Sequence, residues 1–263
     1  MAINPTDYWT RRHQAHDGLR SVGNIGCSEG YNRWLYRAKL SVFRREARRF
    51  LAQPGQASVL DIGSGRGSVL EQWQRLGCRR IVASDFAGPA VTGLRRRFPD
   101  LDVVELDIGK SLLPFREEFD AVSAIDVLYH LMDETSFNQA LRNVFRALRP
   151  GGVFIFSDVY PDAGDVTDGH HTVKRPWHHA KRCLTEAGFT IERRRPQYVL
   201  MENPGRAGNA VLRLTWRVVS KLASRGDLPG AAIGAALFPV ELLATRLVRT
   251  GPGLEIFACR KPM

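Results

Sequence analysis

The sequence predicts an α/β fold in which one parallel β-sheet is covered by helices on both faces. Strand-like apolar runs alternate with amphipathic helical runs from residue 57 to about 156. The strands are apolar along their length, as strands buried on both faces must be, and a crossover between parallel strands requires a helix. The first strand also runs into three glycines within five residues, directly before a helical pattern. At 263 residues and 44% hydrophobic content the chain can bury one such core, so a single domain over 1–263 is expected.

Residues 1–56 read as an N-terminal helical arm. It is polar to about Gly30, after which Trp34, Leu35, Ala38, Val42, Phe43, Ala47 and Phe50 recur at helical spacing until Pro54-Gly55. The core is expected over 57–200, with strands at 59–62, 81–84, 102–106, 119–125 and 153–156. Its helices are marked by Leu70, Trp73 and Leu76, by residues 89–98, and by Phe137, Leu141, Val144 and Leu148, the last closed by Arg149-Pro150-Gly151-Gly152 read as a turn. A loop at 159–172, rich in Asp, Gly and His, precedes a helix with Trp177, Ala180, Leu184 and Ala187 on one face and Gly188 at its end.

A strand at about 190–200 and a last strand within 253–263 bracket an insertion, 201–252, expected to be helical. In it Arg213, Arg217, Lys221 and Arg225 recur every four residues, a basic stripe set opposite Val211, Leu214, Val218 and Leu222. The small-residue run 231–237 reads as a buried cap.

The formal net charge of +11 suits a polyanionic partner, but 32 of the 38 basic residues are arginines spread from Arg11 to Arg260. With no basic tail or patch in the sequence, nucleic acid is disfavoured. The helix expected at 207–226 offers a peripheral contact with an anionic membrane. Cys27, Cys78, Cys183 and Cys259 stand singly, which fits a reducing cytoplasm, and the N-terminus lacks the pattern of a signal peptide. The longest uncharged stretch, 228–240, holds two prolines and is too short to span a bilayer, so no transmembrane helix is expected.

The strand at 59–62 leads into Gly63-Ser64-Gly65-Arg66-Gly67. Glycines let the backbone turn sharply and approach a ligand, and the following helix supplies free N–H groups. In a dinucleotide fingerprint the third glycine comes one position later, where this chain has Ser68, so NAD and FAD are disfavoured. Asp61, just before the glycines, would repel a pyrophosphate and suits a cationic ligand. Asp85, 20 residues beyond Gly65, stands where a carboxylate can accept from both ribose hydroxyls.

Asp-x-Gly-x-Gly-x-Gly after a strand resembles the first motif of the class I S-adenosylmethionine-dependent methyltransferases, whose ligand carries a sulfonium and an amino group and no phosphate. The resemblance continues through Asp85-Phe86, Asp107-Ile108, residues 119–131 and Leu148-Arg149-Pro150-Gly151-Gly152, and covers about 59–156. It implies S-adenosyl-L-methionine as cofactor and S-adenosyl-L-homocysteine as product. The implied fold is a Rossmann-like seven-stranded sheet of order 3-2-1-4-5-7-6, last strand antiparallel, with the helical insertion between strands six and seven. The implied cofactor contacts are Asp61, Gly63, Gly65 and Gly67, Asp85 on the ribose with Phe86 against the adenine, Asp107 and the Ile108 backbone at the adenine edge, and Asp126. Tyr8 and Trp9 stand where relatives fold a lid over the methyl donor; aromatics that only pin the arm to the core would look the same.

Methyl transfer from a sulfonium is an in-line displacement in which alignment supplies much of the rate. A base helps when the acceptor is a hydroxyl, and His130, just past the fourth strand, is the candidate, with a loop-holding role as its alternative. Asp158, Tyr160, His170 and His171, after the fifth strand, are candidate acceptor contacts. No metal site is expected, because His178 and His179 point about 100° apart on one helix. The expected function is methylation of a small-molecule or lipid-like acceptor, oxygen favoured over nitrogen. An RNA or protein methyltransferase and a non-catalytic S-adenosylmethionine-binding module are the alternatives. Ile125-Asp126-Val127-Leu128 is not the Asp/Asn-Pro-Pro-aromatic motif that holds a flipped exocyclic amine, and there is no Pro-Cys pair for cytosine C5 chemistry.

Overall fold

The computed structural model of the chain describes residues 8–9, 11–12, 18–21, 23–110, 112–161, 167–168, 172–205, 210–251 and 253–263. The chain divides into two compact units, one of Met1–Arg11, Arg44–Arg193 and Phe257–Met263, the other of Arg12–Phe43 and Arg194–Ile256. Helix α1 (Glu29–Phe50) belongs to the second unit as far as Phe43 and to the first from Arg44.

In chain order after α1 come β1 (Ser58–Ile62), α2 (Ser68–Arg75), β2 (Arg80–Asp85), α3 (Gly88–Arg97), β3 (Asp102–Glu105), β4 (Phe119–Ala124), α4 (Glu134–Ala147), β5 (Leu148–Asp158), α5 (Trp177–Glu186), β6 (Thr190–Pro196), α6 (Ala210–Ala223), α7 (Asp227–Leu247) and β7 (Glu255–Arg260). One seven-stranded sheet has the order β3-β2-β1-β4-β5-β7-β6. The first five strands pair in parallel, with Val59 beside both Ile81 and Ala121. At the end of β7, Gly151 N–H donates to Lys261 O and Lys261 N–H to Gly152 O, both 2.9 Å, so β7 runs antiparallel to β5. The sheet order and the reversed last strand are those that the resemblance implies.

The reason for this sheet lies in its side chains. All five residues of β1 are buried, and Leu60, Ile62, Val122, Ala124, Phe154 and Phe156 form one core with Phe137, Leu141 and Val144 of α4. Asp133 caps α4 by accepting from Ser136 N–H at 2.8 Å, which holds its carboxyl below the usual range.

Arg149-Pro150-Gly151-Gly152, read above as a turn, lies inside β5. Gly151, at φ +76°, makes the local irregularity there, and the ladder to Lys261 carries the strand through it.

In the second unit, Tyr31, Leu35 and Ala38 of α1 pack with Tyr198, Met201, Val219 and Ala223. Tyr31 Oη donates to Met201 O at 2.8 Å. Glu241 of α7, fully buried, accepts from the N–H groups of Val199, Leu200 and Met201 at 2.6, 2.8 and 3.1 Å. Gly230 and Gly234 bring α7 close to α1, since a Cβ at Gly234 would lie 2.8 Å from the Trp34 ring.

Two readings of the insertion change. In α6 the buried residues are Val219 and Ala223, while Val211, Leu214 and Val218 are exposed. On a helical wheel those three lie beside the basic stripe and not opposite it. In α7, Pro229 sits in the first turn, where its missing N–H is needed by no bond, and Pro239 is carried inside the helix. The element therefore runs 21 residues and is long and apolar enough to cross a membrane by length and composition, with 22% of its most apolar window buried. The run 231–237 is accordingly not a buried cap: Ala232 and Ala236 are exposed.

Candidate active site

At the carboxyl end of β1 the chain turns through Gly63, Gly65 and Gly67 at φ +65°, +54° and +82°. These values admit glycine and resist other residues. A Cβ at Gly63 would lie 2.5 Å from Val127 Cγ2, and one at Gly67 2.2 Å from Phe98 Cε2. The glycines thus serve both the turn and the seating of α2.

Asp61 lies beneath this turn, 1% exposed. Its Oδ1 accepts a short hydrogen bond from Ser123 Oγ, which itself accepts from Trp73 Nε1 at 3.0 Å. Its main-chain oxygen accepts from Ser64 Oγ and Ser84 Oγ. Its Oδ2 is buried with no hydrogen-bond partner among the described residues. Burial pushes this carboxyl up to about 7, against the pull of the serine hydroxyls. A buried carboxylate oxygen left unanswered is an acceptor waiting for a cation or a donor.

Asp85 ends β2 and holds the loop from the other side. Its Oδ2 accepts from Gly65 N–H at 2.8 Å and its Oδ1 from Ala87 N–H at 3.0 Å. A carboxylate oxygen carries two lone pairs and can accept more than one hydrogen bond. Phe86 follows, half-buried. Leu106 N–H donates to Asp85 O at 2.9 Å, which sets Asp107 next to this corner. Asp107 accepts from Gly109 N–H and pairs with Lys110, while the Ile108 side chain is buried and its carbonyl accepts from Asn143 Nδ2 at 2.8 Å. Ile108 can therefore meet a ligand only through its backbone.

Asp126, just past β4, has φ +61°, a strained conformation for a non-glycine residue. Ser157 fixes it, accepting from Asp126 N–H at 2.8 Å and donating to its Oδ1 at 2.6 Å. His130 closes the short 3-10 turn Leu128–His130. The Trp9 ring meets the His130 ring edge-on at 4.9 Å, Tyr129 lies 4.4 Å from His130, and Tyr8 meets Trp9 at 5.4 Å. The candidate lid and the candidate base, 121 residues apart in sequence, are in contact.

Asp158 ends β5, 1% exposed, its Oδ1 accepting from Val159 N–H at 2.6 Å and its Oδ2 without a partner. Burial raises its carboxyl to about 7, opposed by the hydrogen bond from Val159 N–H, by the neighbouring Tyr160 hydroxyl and by the charge of Arg175. Tyr160 is buried against Phe156, Trp177 and Phe257. His170 and His171 lie outside the described residues.

Arg175 is the group the sequence did not point to, one of 32 arginines with no motif around it. It is 1% exposed, donates from Nε to Glu134 Oε1 at 2.8 Å and from Nη2 to Leu131 O at 2.7 Å, and lies over the Phe137 ring at 4.1 Å. It ties the segment after β4 to the start of α5. Ser123, Ser157 and Asn143 were also missed, because their partners are distant in sequence.

Glu134, His179 and Cys183 bring ligand atoms within 4.8 Å of one another. His179 and Cys183 stand four residues apart on α5, a pairing that the argument from His178 and His179 passes over. The buried guanidinium of Arg175 on Glu134 and Arg182 Nη2, 3.2 Å from His179 Nδ1, answer these groups with cations of the chain itself.

The donor set fits S-adenosylmethionine: glycines without a phosphate cradle's third position, an unanswered buried carboxylate oxygen, and carboxylates at three successive strand ends. Comparison with known proteins agrees. The methyltransferase-domain family profile matches residues 60–156. A probable S-adenosylmethionine-dependent methyltransferase of Mycolicibacterium smegmatis is 29% identical over 168 residues, 61% of each chain. An mRNA cap guanine-N(7) methyltransferase of Caenorhabditis briggsae is 26% identical over 63% of this chain and 47% of its own. The chain thus spans about half to three-fifths of the length of these relatives. Among solved structures, the N-methyltransferase NodS of Bradyrhizobium japonicum with S-adenosyl-L-homocysteine has the same fold, with a TM-score of 0.58 at 18% identity, covering 99% of this chain and 100% of that one. Over residues 60–156 the chain is similar to the class I S-adenosylmethionine-dependent methyltransferases.

Proposed function

We propose that the chain as a whole, 1–263, is one enzyme that binds S-adenosylmethionine at the carboxyl ends of β1, β2 and β3 and methylates a small-molecule or lipid-like acceptor held at the ends of β4 and β5. The observation that carries this reading is the buried Asp61 carboxylate with its unpartnered Oδ2 beneath the glycine turn. When bound, the cofactor supplies an electrophilic methyl group on a sulfonium.

The chain's residues supply the rest. Gly63, Gly65 and Gly67 admit the ligand to the backbone, Asp61 answers its positive charge, Asp85 accepts from the ribose hydroxyls, and Phe86, Asp107 and the Ile108 backbone hold the adenine. Asp126, fixed by Ser157, borders the same cleft. His130 Nδ1 or Nε2 accepts the proton of an acceptor hydroxyl, with the Trp9 ring limiting access of water to it. Asp158 and Tyr160, with His170 and His171, contact the acceptor. Oxygen is favoured through His130. Nitrogen is the second reading, supported by NodS and the cap enzyme, both named for nitrogen methylation, and it requires no base.

Isothermal titration with S-adenosylmethionine, S-adenosylhomocysteine and NAD tests the cofactor, comparing wild type with Asp85→Ala. Binding of both sulfur ligands, no binding of NAD, and loss in the variant are expected. A well-folded protein that binds neither sulfur ligand overturns the reading. Transfer of labelled methyl to hydroxyl and amine acceptors then separates oxygen from nitrogen.

A further inference from the structure

The outward face of α7 is apolar along its whole length. Leu228, Val240, Leu243 and Leu247 are 85, 51, 56 and 72% exposed, with the exposed Ala232, Ala236 and Pro239 between them. Twenty-one residues of helix present this face over about 30 Å. Water gains nothing from such a surface, and single exposed apolar residues are ordinary whereas a continuous row of them is not.

The cations sit where a lipid surface would require them. Exposed Arg225 precedes α7, and exposed Arg246 and Arg249 stand at its far end. On α6, exposed Arg217 and Lys221 lie next to the exposed Val211, Leu214 and Val218. Each helix therefore has a basic margin beside an apolar stripe, the pattern of a helix lying in a membrane interface with long cationic side chains reaching the headgroups.

Across the described stretch 210–251 there are six basic residues and two acidic ones, Asp227 and Glu241. Glu241 is turned away from solvent and holds three backbone N–H groups of its own unit. That bond set commits one side of α7 to protein. A spanning helix would carry this face into hydrocarbon, so the geometry fits a helix lying in the plane of the membrane and not across it. A second copy of the chain is a poorer occupant, since its own cationic margins would meet these.

We propose that α6 and α7 form a docking surface for an anionic phospholipid membrane, with α7 entering the headgroup region on its apolar face. The proposal does not depend on the methyltransferase reading, and its test uses no cofactor.

Full-length protein is floated with vesicles of phosphatidylcholine alone and of phosphatidylcholine with phosphatidylglycerol, at low and high salt. Binding to the anionic vesicles, weakened by salt, is expected. Leu243→Glu/Leu247→Glu, at exposed positions, should lower the vesicle-bound to free ratio at least tenfold with an unchanged circular dichroism spectrum and melting temperature. Arg217→Glu/Lys221→Glu should lower binding to anionic vesicles and remove its salt dependence. Absence of flotation with anionic vesicles overturns the proposal. So does light scattering that shows a dimer dissociated by Leu243→Glu without vesicle binding, and so does binding that resists alkaline extraction, the mark of a spanning helix.

Discussion

The two halves of the candidate site are built differently. Around β1 and β2 the loop itself is held by main-chain groups: Asp85 binds the N–H groups of Gly65 and Ala87, and Gly63, Gly65 and Gly67 take left-handed conformations, the first and last with no room for a Cβ. Around β4 and β5 the groups are side chains at the end of a strand, on a short turn and ahead of α5. His130 rests against two aromatic rings, Asp158 accepts from Val159 N–H, and Arg175 bridges Glu134 and the Leu131 carbonyl. A site shaped by backbone is committed to one ligand, whereas a site of side chains can be refitted to a new acceptor without disturbing the sheet.

The largest effect is expected where backbone and packing coincide. Gly67→Ala places a Cβ in the Phe98 ring at a left-handed φ, at a combined cost of about 2–4 kcal/mol. A fall in Tm of about 4–16 °C with loss of S-adenosylmethionine binding by titration is expected. Gly93→Ala, inside α3 with nothing within 4 Å of its Cβ, is the control and should hold or raise Tm. Equal behaviour of the two variants would break the distinction between the halves.

In the second half, His130→Gln should lower kcat for a hydroxyl acceptor by about 10²–10⁴-fold while the affinity for S-adenosylmethionine changes little. An unchanged kcat, with the pH profile intact, would leave His130 as a loop-holding residue and move the weight to nitrogen methylation.

The same division explains what the sequence made legible. Asp61, Gly63, Gly65, Gly67 and Asp85 stand in short consecutive patterns whose chemistry is local, and the sheet order followed from the resemblance those patterns carry. Arg175, Ser157 and Asn143 act on Glu134, Asp126 and Ile108 across 41, 31 and 35 residues, so no window of sequence contains both partners. The insertion was misread for another reason. Val211, Leu214 and Val218 have the spacing of a buried stripe, but Val219 and Ala223 are the side that packs, and periodicity alone cannot say which of two apolar stripes is covered.

A third effect separates charge from shape in the first half. The Asp61 carboxyl, pushed up to about 7, takes up a proton on folding between pH 4 and 7, so its contribution to stability is present in acid and is lost as pH rises through 7. A cationic ligand favours the ionised form. Affinity for S-adenosylmethionine should therefore rise with pH up to about 7 and then level off, by up to about tenfold per pH unit. Asp61→Asn should flatten both the stability and the affinity curves. A pH-dependent affinity that survives this change would assign the titration to another group.

The smallest effect bears on the arm. Trp9 and His130 meet edge-on, a contact worth about 0.5–1.5 kcal/mol, so Trp9→Ala should change the affected constant by about 2–12-fold. Which constant changes distinguishes the two roles of the ring. If Trp9 covers the site, affinity for S-adenosylmethionine weakens, kcat falls, and Tm holds. If it only pins the arm, Tm falls and both other quantities stay. Trp9→Phe keeps an aromatic edge on the imidazole, so its recovery of the lost function would assign the effect to ring packing, and its failure would assign it to the larger indole.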